Sequence, residues 1–167
     1  MKTIFLVRHA KSDWGNIGLR DFDRPLSTRG LRDAPRMSAF LASRGIEPDI
    51  LISSPANRAQ TTAGYFAEAF GIPKNHIDLR REIYDAEVED IQKLVQDLDD
   101  NLNTICLFGH NPTFTHFANL FTTDFIDNIS TCGIVEIKAA VKNWADFNET
   151  TAKVVHKWFP KELKVQK

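Results

Sequence analysis

Apolar residues in this chain follow two rhythms. Thr3–Val7 (TIFLV), Asp49–Ser53 (DILIS) and Thr104–Phe108 (TICLF) are short apolar runs without polar alternation. A strand buried on both faces reads this way, because neither face has to meet water. Between these runs the apolar positions recur at helical spacing. Leu31, Ala34, Met37, Ala39, Phe40 and Leu41 form the stripe of a helix capped by Ser27 or Thr28 and running to about Arg44, with Gly45 just past its end. Pro35 inside that stripe predicts a kink or a late start. Ser54-Pro55 reads as the N-cap and first residue of a helix over about 55–70 that stops at Gly71. Glu87–Leu98 places Val88, Ile91, Leu94, Val95 and Leu98 on one helical side. A short strand over 77–80, a helix after Pro112 to about Phe121, and strands over Ile134–Ala140 and Lys153–Phe159 complete the pattern. Residues 10–26, with two glycines and a proline, read as a loop. Alternating strands and helices with non-alternating strands predict an α/β fold: a three-layer sandwich with a mostly parallel central sheet flanked by helices. The length and the lack of a linker or repeat predict a single domain over 1–167.

Composition narrows the function more than the fold. The net charge is −1 and 26% of residues are charged, without the basic excess expected of a nucleic-acid-binding domain. The apolar run after Met1 meets Arg8 too soon for a signal core or a membrane span. The expectation is therefore a cytoplasmic protein with no nucleic-acid or membrane partner. Cys106 and Cys132 both lie in apolar runs and read as buried free thiols, with a disulfide between them as the minor alternative.

The strand ends carry the chemistry. The first runs directly into Arg8-His9, the second into SSPANRAQT with Arg58 in the first turn of its helix, and the third into Gly109-His110-Asn111. In open α/β sheets ligands bind at the carboxyl ends of strands, so these three ends should converge. Two guanidiniums, two imidazoles and a helix N-terminus together favour an anion such as phosphate. A neutral imidazole held on phosphorus is a competent nucleophile. The residues thus predict phosphoryl transfer through a phosphorylated His9, with Arg8, Arg58 and His110 bracing the oxygens and no metal or other cofactor required. No HExxH or HxH spacing is present. Ser12 and Asn111, in the adjoining loops, are further candidates for hydrogen bonds to phosphate. Taken singly, each residue has an ordinary reading: a strand-end histidine, a helix-surface arginine, a turn histidine. His76, His116 and His156 read as structural or surface residues, and Trp14 as a candidate for the rim.

LVRHA, SSPANRAQT and FGHNP in this order resemble the histidine phosphatase superfamily, also called the phosphoglycerate mutase-like fold. RHA, DFDRPLSTRG, RDAPRM and IYDA resemble its small SixA-type phosphohistidine phosphatases, over roughly residues 3–121. The resemblance implies that His9 is the nucleophile, Arg8 and Arg58 the phosphate arginines, and His110 the second histidine. It places Glu82, in RREIYDA, where many relatives carry a general acid; beside Arg80 and Arg81, an ordinary ion pair is the competing reading. It also implies a mixed six-stranded sheet.

Loop length bears on the substrate. Between Tyr84 and Thr104 there is room for one helix, whereas relatives acting on small phosphorylated metabolites carry a larger closing insertion there. An open site suits hydrolysis of a phosphate presented on a protein. The expectation is a phosphatase acting on protein phosphohistidine. A small-molecule phosphomonoesterase is the alternative, and a non-catalytic phosphate-binding module a third reading.

Overall fold

The computed structural model describes residues 1–163. Its six-stranded sheet comprises β1 (Lys2–Arg8), β2 (Ile50–Ser53), β3 (Asp78–Leu79), β4 (Thr104–Gly109), β5 (Ile134–Ala139) and β6 (Ala152–Trp158), in the order β3-β2-β4-β1-β5-β6. β1, β2, β3 and β4 pair in parallel; β5 runs antiparallel to β1, and β6 antiparallel to β5. The sheet is mixed and mostly parallel, as expected. Four helices cover it: α1 (Thr28–Ser43), α2 (Asn57–Phe70), α3 (Val88–Gln96) and α4 (Thr113–Asn119).

Two core layers explain the uninterrupted apolar strands. Ile4 and Leu6 of β1, with Ile105 and Leu107 of β4, pack with α3 and α4 through Ile91, Leu94, Val95, Phe114 and Phe117. The alternate residues Phe5, Val7, Cys106 and Phe108 pack with α1 and α2 through Ala34, Met37, Leu41, Ala63 and Phe66. Each strand therefore needs apolar side chains at every position. Truncating one of them, as in Leu6→Ala, costs about 2–5 kcal/mol. Cys106 and Cys132 are buried and free, and burial pushes both thiols up from their ordinary range.

Two helix starts depart from the local pattern. α1 begins at Thr28, its N-cap Ser27 accepting a hydrogen bond from Gly30 N–H at 3.2 Å. The late start does not occur, and α1 runs through Pro35. Proline removes the donor for the Leu31 carbonyl, but Leu31 lies on the exposed side, where water can serve that oxygen. α2 begins later than expected, at Asn57, with Ala56 at the cap. Ser54 and Pro55 stand outside it because Ser54 has a distant partner, described below.

Candidate active site

Strand register builds the site. Arg8 lies opposite Gly109 across the β1–β4 pair, and Ser53 opposite Phe108 across β2–β4. His9 N–H then donates to the Gly109 carbonyl at 3.0 Å, and Ser54 N–H to the Phe108 carbonyl at 3.0 Å. His9, His110 and Ser54 thus emerge side by side from three adjacent strands. The His9 and His110 ring centroids are 5.2 Å apart. Gly109 permits this crowding: a Cβ there would strike Phe114 and Ile83.

The backbone beyond His9 is fastened on both sides. Ala10 N–H donates to Thr62 Oγ1 of α2 at 2.9 Å. The Lys11 carbonyl accepts from Ser27 N–H at 2.9 Å, and it passes so close to Gly30 that no Cβ would fit there. On the other side, Cys132 N–H lies 3.0 Å from both the Arg8 and His9 carbonyls. Cys132 holds this place with φ at 60°, a left-handed conformation uncommon outside glycine.

Each ring has a defined proton. His9 Nδ1 lies 2.7 Å from the Ala10 carbonyl. A carbonyl can only accept, so Nδ1 carries the hydrogen and Nε2 keeps its lone pair. Burial is the main force pushing His9 down to about 3, with His110, Arg58 and Arg8 adding to it against the Ala10 hydrogen bond. His110 is pushed down to about 4, by burial first and then by Arg58. Both rings are neutral at pH 7. Ser54 Oγ accepts from Ala56 N–H at 3.2 Å and lies 2.8 Å from His110 Nε2. With the Ser54 hydroxyl donating to that nitrogen, the His110 proton sits on Nδ1. His110 Nδ1 is buried with no hydrogen-bond partner among the described residues.

The two arginines share a layout. Arg8 donates from Nη1 to the Ile129 carbonyl at 2.8 Å. Arg58, 7% exposed, donates from Nη1 to the Asp21 carbonyl at 2.8 Å and from Nη2 to Asp21 Oδ2 at 3.0 Å. In both, the buried Nε has no partner among the described residues. Buried donors are almost always satisfied. Two unpartnered guanidinium Nε–H donors close to one neutral imidazole suit an oxyanion.

The remaining candidates are placed differently. Glu82 is exposed and pairs with Arg80, Nη1 to Oε1 at 3.3 Å; it makes no hydrogen bond to either site histidine among the described residues. Ser12 is buried and accepts from Arg24 Nη1 at 2.6 Å. Asn111 uses its amide on Asn128 Oδ1 and the Ile129 carbonyl, while its oxygen takes Thr115 N–H and Oγ1. It clamps the 126–129 loop, whose Ile129 carbonyl in turn holds Arg8. Trp14 is largely exposed, and the Arg24 guanidinium lies 3.5 Å from its ring centroid.

Several site residues escaped the sequence reading. Ser54 looked like a helix cap. Asp21 and Arg24 lay in a segment read as loop, and Tyr84 had no assigned role. Tyr84 packs edge-on against His110, at 5.5 Å between centroids, and its hydroxyl donates to Asp21 Oδ2 at 2.6 Å. The available signal was the DFDRPLSTRG segment, already singled out in the sequence, which carries both Asp21 and Arg24.

Sheet and site together define an α/β protein with two arginines and two imidazoles gathered at the carboxyl edge of its parallel strands. The sequence model of the histidine phosphatase superfamily (branch 1) matches residues 4–110, and the chain belongs to that superfamily. An uncharacterised chloroplastic protein of Arabidopsis thaliana is 28% identical over 153 residues, covering 87% of this chain and 70% of its own. The crystal structure of a candidate phosphohistidine phosphatase SixA from Agrobacterium tumefaciens superposes with a TM-score of 0.78 at 26% identity, over 94% of this chain and 97% of that one. The protein histidine phosphatase SixA complexed with tungstate shares the fold, with a TM-score of 0.81 at 19% identity over 97% and 99% of the two chains. Membership in this superfamily supports phosphatase activity. Among the described residues, no helix is long and apolar enough to cross a membrane.

Proposed function

We propose that the protein is a metal-independent phosphatase that hydrolyses phosphohistidine on proteins through a phosphorylated His9. One observation carries the reading: the Nδ1 hydrogen bond to the Ala10 carbonyl leaves a free lone pair on Nε2 of a neutral, buried imidazole, close to two arginines whose Nε donors have no partner among the described residues. Nε2 attacks phosphorus in line, and a P–N bond forms as the bond to the leaving nitrogen breaks. The departing imidazole takes its proton from solvent. Water then attacks the phosphorylated His9, releases inorganic phosphate and restores the neutral ring. Arg8, Arg58 and the Nδ1 proton of His110 stabilise the charge on the equatorial oxygens, each such donor being worth roughly 10²–10³ in rate. Guanidiniums supply the positive field that a metal supplies elsewhere.

The phosphohistidine assignment rests on the leaving group. A phosphoramidate nitrogen is easily protonated, so catalysis needs no strong acid at the mouth. Glu82, exposed and paired with Arg80, suits that weak demand, and a protein-borne phosphate suits a chain with only α3 between Tyr84 and Thr104. The two buried thiols fit the cytoplasm as the working compartment. The test is a direct competition. A phosphorylated histidine carrier domain and a panel of phosphosugars and phosphoglycerates are offered to the enzyme, and His9 is trapped as the phosphoenzyme. Higher kcat/KM on the small esters would replace the protein substrate, and failure to label His9 would remove the nucleophile.

A further inference from the structure

Asp21 is the hub of the site and belongs to none of the roles above. It sits in the one-turn 3-10 helix Asp21–Asp23, inside the loop that follows the nucleophile. Its side chain is half exposed, yet it collects three directed donors: Arg58 Nη2 at 3.0 Å, Tyr84 Oη at 2.6 Å and Arg24 Nε at 3.1 Å. Its carbonyl takes Arg58 Nη1 at 2.8 Å. Among the described residues it is the carboxylate that pairs with both Arg24 and Arg58.

Resting on the phosphatase reading above, we propose that Asp21 is a positioning residue for the phosphoryl group, clasping the outer edge of the Arg58 guanidinium so that its Nε edge is presented to the oxyanion. A guanidinium is a rigid fork of five donors. Occupying one hydrogen on each terminal nitrogen leaves Nε–H and its neighbouring terminal N–H as a second, side-on fork. Arg8 is held on the same plan by the Ile129 carbonyl, so both phosphate arginines are fixed from behind by protein oxygens. Tyr84 and Arg24 steady the clasp. Arg24 is itself fixed by Ser12 and stacked on Trp14, and Tyr84 links Asp21 to the edge of His110.

Asp21 does not serve as the acid. Partial burial works against its charge, but the hydrogen bonds from Tyr84, Arg58 and Arg24 outweigh it and pull the carboxyl down to about 2. It is ionised throughout the working range and has no proton to give.

Charge and geometry predict opposite outcomes, which makes the proposal testable. A carboxylate near an anion site repels the anion, so its neutralisation alone would tighten binding. Loss of the clasp would weaken binding. Tungstate binding is measured by calorimetry for the wild type, Asp21→Asn, Tyr84→Phe, Arg58→Ala and the Asp21→Asn/Arg58→Ala double variant. Asp21→Asn is expected to weaken tungstate binding and lower kcat/KM on an aryl phosphate by ~10–100-fold, the scale of lost charge-assisted hydrogen bonds. Tyr84→Phe, which removes one support, is expected to lose ~3-fold by the same reasoning. In the Arg58→Ala background Asp21→Asn should change binding by less than about 2-fold, since the residue it positions is gone. Tighter or unchanged binding in Asp21→Asn, or an equal loss in both backgrounds, would overturn the proposal while leaving the phosphatase reading intact. A wild type that neither binds tungstate nor phosphorylates His9 would remove that reading and the proposal with it.

Discussion

Each end of β1 buries cations, and the two ends treat them differently. At its start Lys2 is 1% exposed, and its Nζ donates to the Asp100 carbonyl at 2.6 Å, the Leu102 carbonyl at 2.7 Å and Asn103 Oδ1 at 3.0 Å. All three ammonium hydrogens are used. The Trp144 ring, 5.5 Å away, closes over the group. At the other end Arg8 and Arg58 each keep a buried Nε with no partner among the described residues. A buried cation with every donor satisfied is structure, whereas buried cations holding donors in reserve are prepared for an anion that comes and goes. Burial alone therefore does not identify a functional charge; unfinished hydrogen bonding does.

The largest expected effect tests the reserved end at its nucleophile. His9→Ala should lower kcat by on the order of 10⁴ or more, as removal of an attacking group does elsewhere, while tungstate affinity stays within about 10-fold because the arginines remain. Near-normal turnover in that variant would sink the nucleophile assignment. Next comes a matched pair. Arg8→Met should cut kcat/KM by about 10²–10³ and change unfolding free energy by less than about 1 kcal/mol. Lys2→Met should do the reverse, costing about 2–4 kcal/mol through three stranded acceptors with little change in kcat/KM. Denaturant titration and steady-state kinetics on both variants decide it, and similar profiles for the two would dissolve the contrast.

A smaller effect follows from pH. His9 and His110 titrate at about 3 and about 4 in the folded protein, against roughly 6.5 in an unfolded chain. Between these values the unfolded state binds more protons, so stability falls as pH drops below about 6.5 and is fully present above it. An anion in the site favours the charged rings and opposes that loss. The rise in Tm given by sulfate, whose charge is constant over this range, should therefore grow from pH 7 to pH 5; a constant increment would place the anion away from the histidines. The smallest expected effect is at Glu82. Glu82→Gln should slow aryl phosphate hydrolysis by a few-fold and phosphohistidine hydrolysis less, since an exposed ion pair contributes little structurally. Equal losses would count against the leaving-group argument.

What the sequence disclosed and what it hid divide along physical lines. β1 and β4 were readable because both faces of each strand are covered, and the strand ends marked Arg8, His9 and His110 directly. Arg58 was readable from its helix register. Ser54 was misread because a local rule, serine before proline at a helix start, competes with a partner 56 residues away. Asp21 and Tyr84 are joined across 63 residues, and no periodicity in either segment points to the other. The 126–132 turn was equally silent. Its Ile129 carbonyl holds Arg8 through the backbone, which leaves no mark in residue identity.

The middle position of β1 also has a kinetic consequence. The strand is laddered on both sides, to β4 and to β5, and His9 continues that ladder through Gly109. The neighbouring 10–26 segment has one isolated bridge, Ser12 to Leu26. Amide hydrogens along β1 should therefore exchange with solvent only through near-global unfolding, and those of the exposed 14–19 stretch through frequent local opening. The attacking ring rides on a slowly breathing part of the molecule, and the exposed 14–19 stretch can move to admit a bulky guest without disturbing it.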